Sequence, residues 1–218
     1  DMPLIDLHRH LDGSVRLETI LDLGEQHDLS LPAWTIEGLR PHVQVTEPMS
    51  DVMDFIAKFK WMTEILVDYS ACRRIAFENV EDAFHEGLDY VELRFSPLFM
   101  AQAHDLHPTH VVSAVIEGID QGREAYDIKV NLIGIISRTY GPDQGWRELE
   151  SLLDHKEHFV GLDLAGDESN YPGTLFVDHF KRGRTAGWKT TVHAGEESGP
   201  ESVWHALEEL KADRIGHG

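Results

Sequence analysis

Two histidines, His8 and His10, stand two residues apart at the end of the short apolar run Leu4 to Gly13, LIDLHRHLDG. Alternate side chains of a β-strand share a face, so this spacing presents both imidazoles to one side, one step of the pleat apart. Neutral imidazole nitrogens placed that way chelate divalent transition metals, and a third histidine would make a catalytic site with an open position for water. The plainer reading of an isolated pair is two polar residues at a strand end. Two further segments weigh against it: Thr190 to Glu196 reads TTVHAGE, and the chain ends RIGHG. They place His193 and His217 at the ends of two more apolar strands. His8, His10 and His193 would supply three nitrogens to zinc, which lowers the pKa of a bound water toward neutrality. Glu196, three residues beyond His193, could pass a proton to a leaving or ring nitrogen if burial raised its pKa. His217 could orient the metal-bound water or share its proton. Asp12 either binds a substrate hydroxyl or caps the helix that follows Gly13.

Such groups must be carried by elements that converge. Six segments rich in Val, Ile and Leu recur, Leu4 to His10, Tyr90 to Ser96, Val130 to Ser137, Phe159 to Ala165, Thr190 to Ala194 and Arg214 to His217. Helical patterns follow several of them, over Thr109 to Tyr126, Gln144 to His158, Thr174 to Ala186 and Pro200 to Lys211, as expected of β/α units with parallel strands. Glu92, Arg94 and Ser96 share one parity while Val91, Leu93 and Phe95 take the other, which predicts a polar inner layer and a helix-covered outer face. A TIM-type (β/α)8 barrel with its site at the C-terminal mouth meets this pattern. An open doubly wound sheet would call for a glycine-rich phosphate loop after the first strand, and none is present. Residues 11–89 far exceed one crossover helix. We read a first helix over Gly13 to Gly24, an irregular stretch over Pro32 to Pro48, and a long amphipathic helical region over Asp51 to Gly87. Residues 30–86 would form a helical lid after strand 1, with Phe55, Ile56 and Phe59 either facing the mouth or filling core.

Composition narrows the function classes. The 218 residues suit a single domain, here an incomplete barrel over 1–218. A formal charge of -20, from 19 basic and 39 acidic residues, disfavours nucleic-acid partners. One cysteine, Cys72, permits neither an internal disulfide nor a multi-cysteine zinc cluster and fits a reducing compartment. Without an apolar run of membrane-spanning length or a signal-peptide pattern, the expected localisation is cytoplasmic. Most of the 14 histidines, including His27, His85, His155, His158 and His205, sit in polar helical surroundings and read as surface residues.

The motifs LIDLHRHLDGSVR, GLDLAGDE, TVHAGE and RIGHG, in that order and spacing, closely resemble those of the adenosine deaminase family of metal-dependent amidohydrolase-like barrels, bacterial members above all. VELRFSP and the FIAKF segment extend the resemblance along the chain. It implies zinc-dependent hydrolysis of adenosine and 2'-deoxyadenosine to inosine and ammonia in purine salvage. Carried over by position, it implies that His8, His10 and His193 bind one zinc, that Glu196 protonates purine N1, and that His217 positions the water that attacks C6. Asp12 would contact the ribose, the Gly166 N–H purine N3, and Phe55, Ile56 and Phe59 would line a hydrophobic lid. The cytidine-deaminase type of zinc site needs a Cys-x-x-Cys pair, which one cysteine excludes.

The family pattern runs on through two more β/α units with an aspartate pair, one of which ligates the metal. The expectation is therefore that this chain corresponds to the N-terminal two-thirds of such an enzyme. Its open strand edges would call for the remaining segment or for self-association, and activity of the chain alone is left open. Three alternatives fit parts of the pattern. One is a deaminase of adenine or of an adenine nucleotide. A second is a binuclear amidohydrolase, which would want a lysine where the fourth strand ends in DLAGDE. The third is an inactive fragment serving as an oligomeric or binding module.

Overall fold

A computed structural model describes residues 2–49 and 52–218. In chain order the elements are β1 (Ile5–His10), α1 (Leu17–Gln26), α2 (Ile36–Val43), α3 (Val52–Ala57), α4 (Lys60–Glu64), α5 (Tyr69–His85), β2 (Tyr90–Phe95), α6 (Pro97–Ala101), α7 (Pro108–Ala125), β3 (Lys129–Ser137), α8 (Gly141–Leu153), β4 (Phe159–Ala165), α9 (Val177–Thr185), β5 (Lys189–Ala194), α10 (Pro200–Glu208) and β6 (Arg214–His217). The six strands form one parallel sheet in the order β1-β2-β3-β4-β5-β6. Sequential order with a helix between strands is the outcome of right-handed β/α crossovers.

The sheet is curled rather than open. Arg214 of β6 pairs with Glu92 of β2 across the inside, and the rings of His8 on β1 and His217 on β6 lie 5.1 Å apart. Val91, Leu93 and Phe95 are wholly buried on the outer face, in one core cluster with residues of α5, α7 and α8. Their neighbours Glu92, Arg94 and Ser96 point inward, and all three are buried. The six-unit α/β barrel expected from periodicity is therefore what the chain forms, each strand matching its sequence segment to within a residue or so.

The segment between β1 and β2 departs from expectation in three places. Pro32 to Pro48 contains a two-turn helix, α2, because the Thr35 hydroxyl accepts from the Gly38 N–H at 3.1 Å and caps it. Pro41 falls inside that helix, where its ring removes one backbone donor without stopping so short a run. The long helical region is three helices, broken after Glu64 and restarted at α5 by Asp68, which accepts from the Ala71 N–H at 2.9 Å; its expected start at Asp51 lies outside the described residues. The first helix begins at Leu17, after a single 3-10 turn over Leu11–Gly13. Of the histidines read as surface residues, His85 is exposed, whereas His27, His155, His158 and His205 are half-buried. Among the described residues no helix is long and apolar enough to cross a membrane.

Candidate metal centre and active site

β1 and β5 are not neighbours in the sheet, but its curl brings their ends together across the mouth, and the pleat turns His8, His10 and His193 inward there. His8 Nε2 lies 3.0 Å and His10 Nε2 3.1 Å from His193 Nε2. Among the described residues this is a group of three ligand-type side chains whose donor atoms all fall within 4.8 Å of one another. Burial, then the Arg94 guanidinium, push the His8 imidazole down to about 4; burial, then His193, push His10 down to about 3. Both rings are neutral at physiological pH, as metal ligation requires.

The third ring is oriented from behind. His193 Nδ1 sits 3.1 Å from Asp163 Oδ1, a fully buried carboxylate in the middle of β4. An ionised carboxylate only accepts, so Nδ1 carries the proton and Nε2 keeps its lone pair for the cluster. Although burial opposes its charge, His193 and Arg94 hold the Asp163 carboxyl well below the usual carboxylate range. The Arg94 guanidinium, also buried, donates to Asp163 Oδ2 at 2.7 Å and to the Leu7 carbonyl at 2.6 Å. One chain of contacts thus links β2, β4, β5 and the β1 backbone beneath the histidines.

Above the cluster opens a cavity of about 340 Å³. His8, His10, Asp12, Gly166, His193, Glu196 and His217 line it, with Phe55, Ile56, Phe59 and Phe99 as its apolar side. Every catalytic, metal-binding, substrate-binding and lid residue expected from the sequence therefore borders one space. Glu196 Oε2 stands 3.6 Å from His217 Nε2. His217 adopts φ +73°, a left-handed backbone costly for a residue with a Cβ, which aims its ring at those of His8 and His193. Gly216 beside it has no room for a side chain: a Cβ there would meet His8 Cε1 at 2.7 Å.

The helix-cap reading of Asp12 fails. Arg16 occupies the N-cap of α1, and Asp12 instead accepts the Ser96 N–H at 2.9 Å, tying the β1 loop to the end of β2. Burial pushes its carboxyl up to about 7 against that hydrogen bond. On the apolar side the rings of Phe55 and Phe59 meet edge to face at 5.2 Å, and Phe59 also meets Phe99 at 5.9 Å. Phe59 lies on the backbone of Gly13 so closely that a Cβ there would come within 2.4 Å of its ring.

Sequence reasoning missed four supporting residues. Asp163 had a visible signal, a lone charge inside an apolar strand. Arg94 was noticed as an inner-layer residue but not as the partner of Asp163. Arg138, buried at the end of β3, donates to the His193 carbonyl at 2.7 Å. Glu148 of α8 accepts from the Ser137 N–H at 2.7 Å, the Leu98 N–H at 3.2 Å and the Ser96 hydroxyl. A helix-borne carboxylate of this kind carries no local pattern that would mark it.

Comparison with known proteins places this geometry among relatives. Residues 3–218 match the family model described as adenosine deaminase. A curated adenosine deaminase of Salmonella newport is 55% identical over 217 residues, covering 100% of this chain and 65% of that protein. The chain thus spans 65% of the length of the curated relatives it matches. The crystal structure of an adenine deaminase from Arthrobacter aurescens aligns with a TM-score of 0.89 at 25% identity, covering 100% of this chain and 65% of that one. The apo structure of the N6-methyl-AMP deaminase from Arabidopsis thaliana aligns with a TM-score of 0.79 at 25% identity, over 99% of this chain and 64% of that one.

Proposed function

The chain belongs to the adenosine deaminase family, and on that premise we propose that it carries the metal-binding and proton-transfer groups for hydrolytic deamination of adenosine and 2'-deoxyadenosine to inosine and ammonia. The observation that carries this reading is the convergence of His8 and His10 Nε2 on His193 Nε2, at 3.0 and 3.1 Å, in the wall of the cavity that also holds Glu196 and His217. The donor set suits one zinc per chain: three imidazole nitrogens and an outer carboxylate that sets the tautomer of one ligand. Held by His8, His10 and His193, zinc supplies a water activated for attack near neutral pH.

The remaining roles fall to the chain itself. Glu196 hands a proton to purine N1, which draws electron density from the ring and opens C6 to attack. His217 orients the attacking water at C6, and its 3.6 Å approach to Glu196 keeps the two proton-handling groups together. Asp12 takes a ribose hydroxyl and the Gly166 N–H meets purine N3. Residues 30–86 act as the lid, with Phe55, Ile56 and Phe59 keeping water off the base. The single, buried Cys72 is in keeping with a cytoplasmic place in purine salvage.

Protein stripped of metal and reloaded with zinc is expected to convert adenosine to inosine in an ultraviolet assay, and the stripped form is not. Glu196→Gln should lose about 10²–10⁴-fold in kcat while keeping its zinc. Zinc-loaded protein that leaves adenosine untouched would overturn the reading and favour a binding module. The adenine and N6-methyl-AMP deaminase neighbours make free base and nucleotide the competing substrates. Among the described residues that line the cavity there is no Lys or Arg, which disfavours a phosphate; rates on adenine, adenosine and AMP side by side decide.

A further inference from the structure

Glu168 follows β4 by three residues and is buried; the Arg138 guanidinium acts on it only through its charge, and among the described residues the hydrogen-bond donors to its carboxylate are backbone N–H groups and one hydroxyl. Oε1 accepts from the Gly195 N–H at 2.9 Å and from the Ser202 hydroxyl; Oε2 accepts from the Glu197 N–H at 2.8 Å and the Ser198 N–H at 3.1 Å. In return the Glu168 N–H donates to Glu197 Oε2 at 3.1 Å. All of these partners lie on the loop from β5 to α10 or in the first turn of α10, and the two residues that flank Glu196 are both held. Gly195 makes the turn into this loop at φ +85°.

We propose that Glu168 is the positioning residue for Glu196: its carboxylate clamps the backbone on either side and so sets where the proton donor stands over the cavity. The inference rests on the deaminase reading above for the role of Glu196. Its physical content is that one buried carboxylate satisfies three loop N–H groups that would otherwise be orphaned away from water, and such groups do not stay where they are unpaired. It also places negative charge at the N-terminal end of α10, where the helix dipole favours it. Glu168 lies three residues beyond the end of β4, the strand that carries Asp163, so the proton donor and the outer support of His193 are both tied to β4 or the loop that leaves it.

The test is Glu168→Gln, which keeps the volume but replaces one acceptor oxygen with an NH2 group that cannot accept from an N–H, and Ser202→Ala, which removes one donor and leaves the carboxylate. With adenosine, Glu168→Gln is expected to lower kcat by at least about tenfold and up to about a hundredfold, with KM and bound zinc unchanged; Ser202→Ala should lose a few-fold. In a Glu196→Gln background, Glu168→Gln should cost nothing further, because the group it positions is already gone. Hydrogen exchange of the 195–198 amides should accelerate at least about tenfold in Glu168→Gln while the strands keep their protection. An equal loss of kcat in both backgrounds, or unchanged exchange at 197 and 198, overturns the proposal. If Glu168→Gln does not fold, unaltered exchange and kcat in Ser202→Ala overturn it in the same way. Should the unsubstituted protein not turn over adenosine, the deaminase reading fails, and the exchange measurement still decides whether Glu168 holds the loop.

Discussion

Asp163→Asn tests the support beneath the histidines most directly. The wild-type carboxylate serves three donors: Oδ2 accepts from Arg94 at 2.7 Å, Oδ1 accepts from the Leu164 N–H at 2.8 Å, and His193 Nδ1 lies 3.1 Å from Oδ1 and 3.0 Å from Oδ2. An amide has one acceptor oxygen for all three. With its oxygen at the Oδ1 position, its NH2 faces the guanidinium, donor against donor; with its oxygen at the Oδ2 position, its NH2 faces the Leu164 N–H, and His193 must share the single oxygen with Arg94. Arg94 is 1% exposed, so either arrangement leaves a buried cation without its counter-charge, a loss of about 3–5 kcal/mol. Against a total stability of about 5–15 kcal/mol, and at roughly 2–4 °C per kcal/mol for a chain of this size, Tm should fall by about 6–20 °C. Zinc affinity should drop by about 10–100-fold, the usual consequence of losing an outer partner of a ligating histidine. The assays are thermal unfolding of the metal-free protein and competitive zinc titration. Arg94→Met added to Asp163→Asn removes the stranded cation and frees the amide oxygen for His193, so it should restore most of the stability. A single variant that melts within about 2 °C of wild type with unaltered zinc affinity, or a double variant as unstable as the single, would refute the reasoning.

Three further outcomes follow from the same geometry. Gly216→Ala puts a methyl group 2.7 Å from His8 Cε1, so it should displace that ring and weaken zinc by about tenfold or more; an unchanged titration curve would contradict it. Glu148 is fully buried, and burial pushes its carboxyl from 4.5 to about 7. The folded state then holds this proton more tightly than the unfolded state does. Its contribution to stability is complete below pH 4.5 and is lost as pH rises to about 7. Urea unfolding at the two ends of that window should show wild type losing roughly 3 kcal/mol relative to Glu148→Gln, and parallel pH profiles for the two chains would dispose of the idea. Phe59→Ala removes the ring that packs on Gly13, Phe55 and Phe99. KM for adenosine should rise by about tenfold, the worth of one well-placed aromatic contact, and an unaltered KM would remove Phe59 from the lid.

The sequence by itself determined which residues face inward and at which end of each strand they lie. Two-residue alternation is a local property of the pleat, so the spacing of His8 and His10, and of Glu92, Arg94 and Ser96, shows the shared face wherever the strands go. The β/α alternation likewise sets parallel order, because a crossover helix admits little else. Helix α2 was illegible because its prolines dominate the local pattern while the deciding interaction, the cap from Thr35, is a single hydroxyl. Tertiary structure alone decided the pairings: Arg94 with Asp163, Asp163 with His193, Asp12 with Ser96, and Glu168 with the loop around Glu196. These partners lie on different strands and loops, and no periodicity relates them. They meet only because the sheet curls until β1 and β6 face each other across the mouth. Curvature is a collective result of strand twist and helix packing, so the inward-facing residues are legible one strand at a time, and their partners only once the sheet has curled.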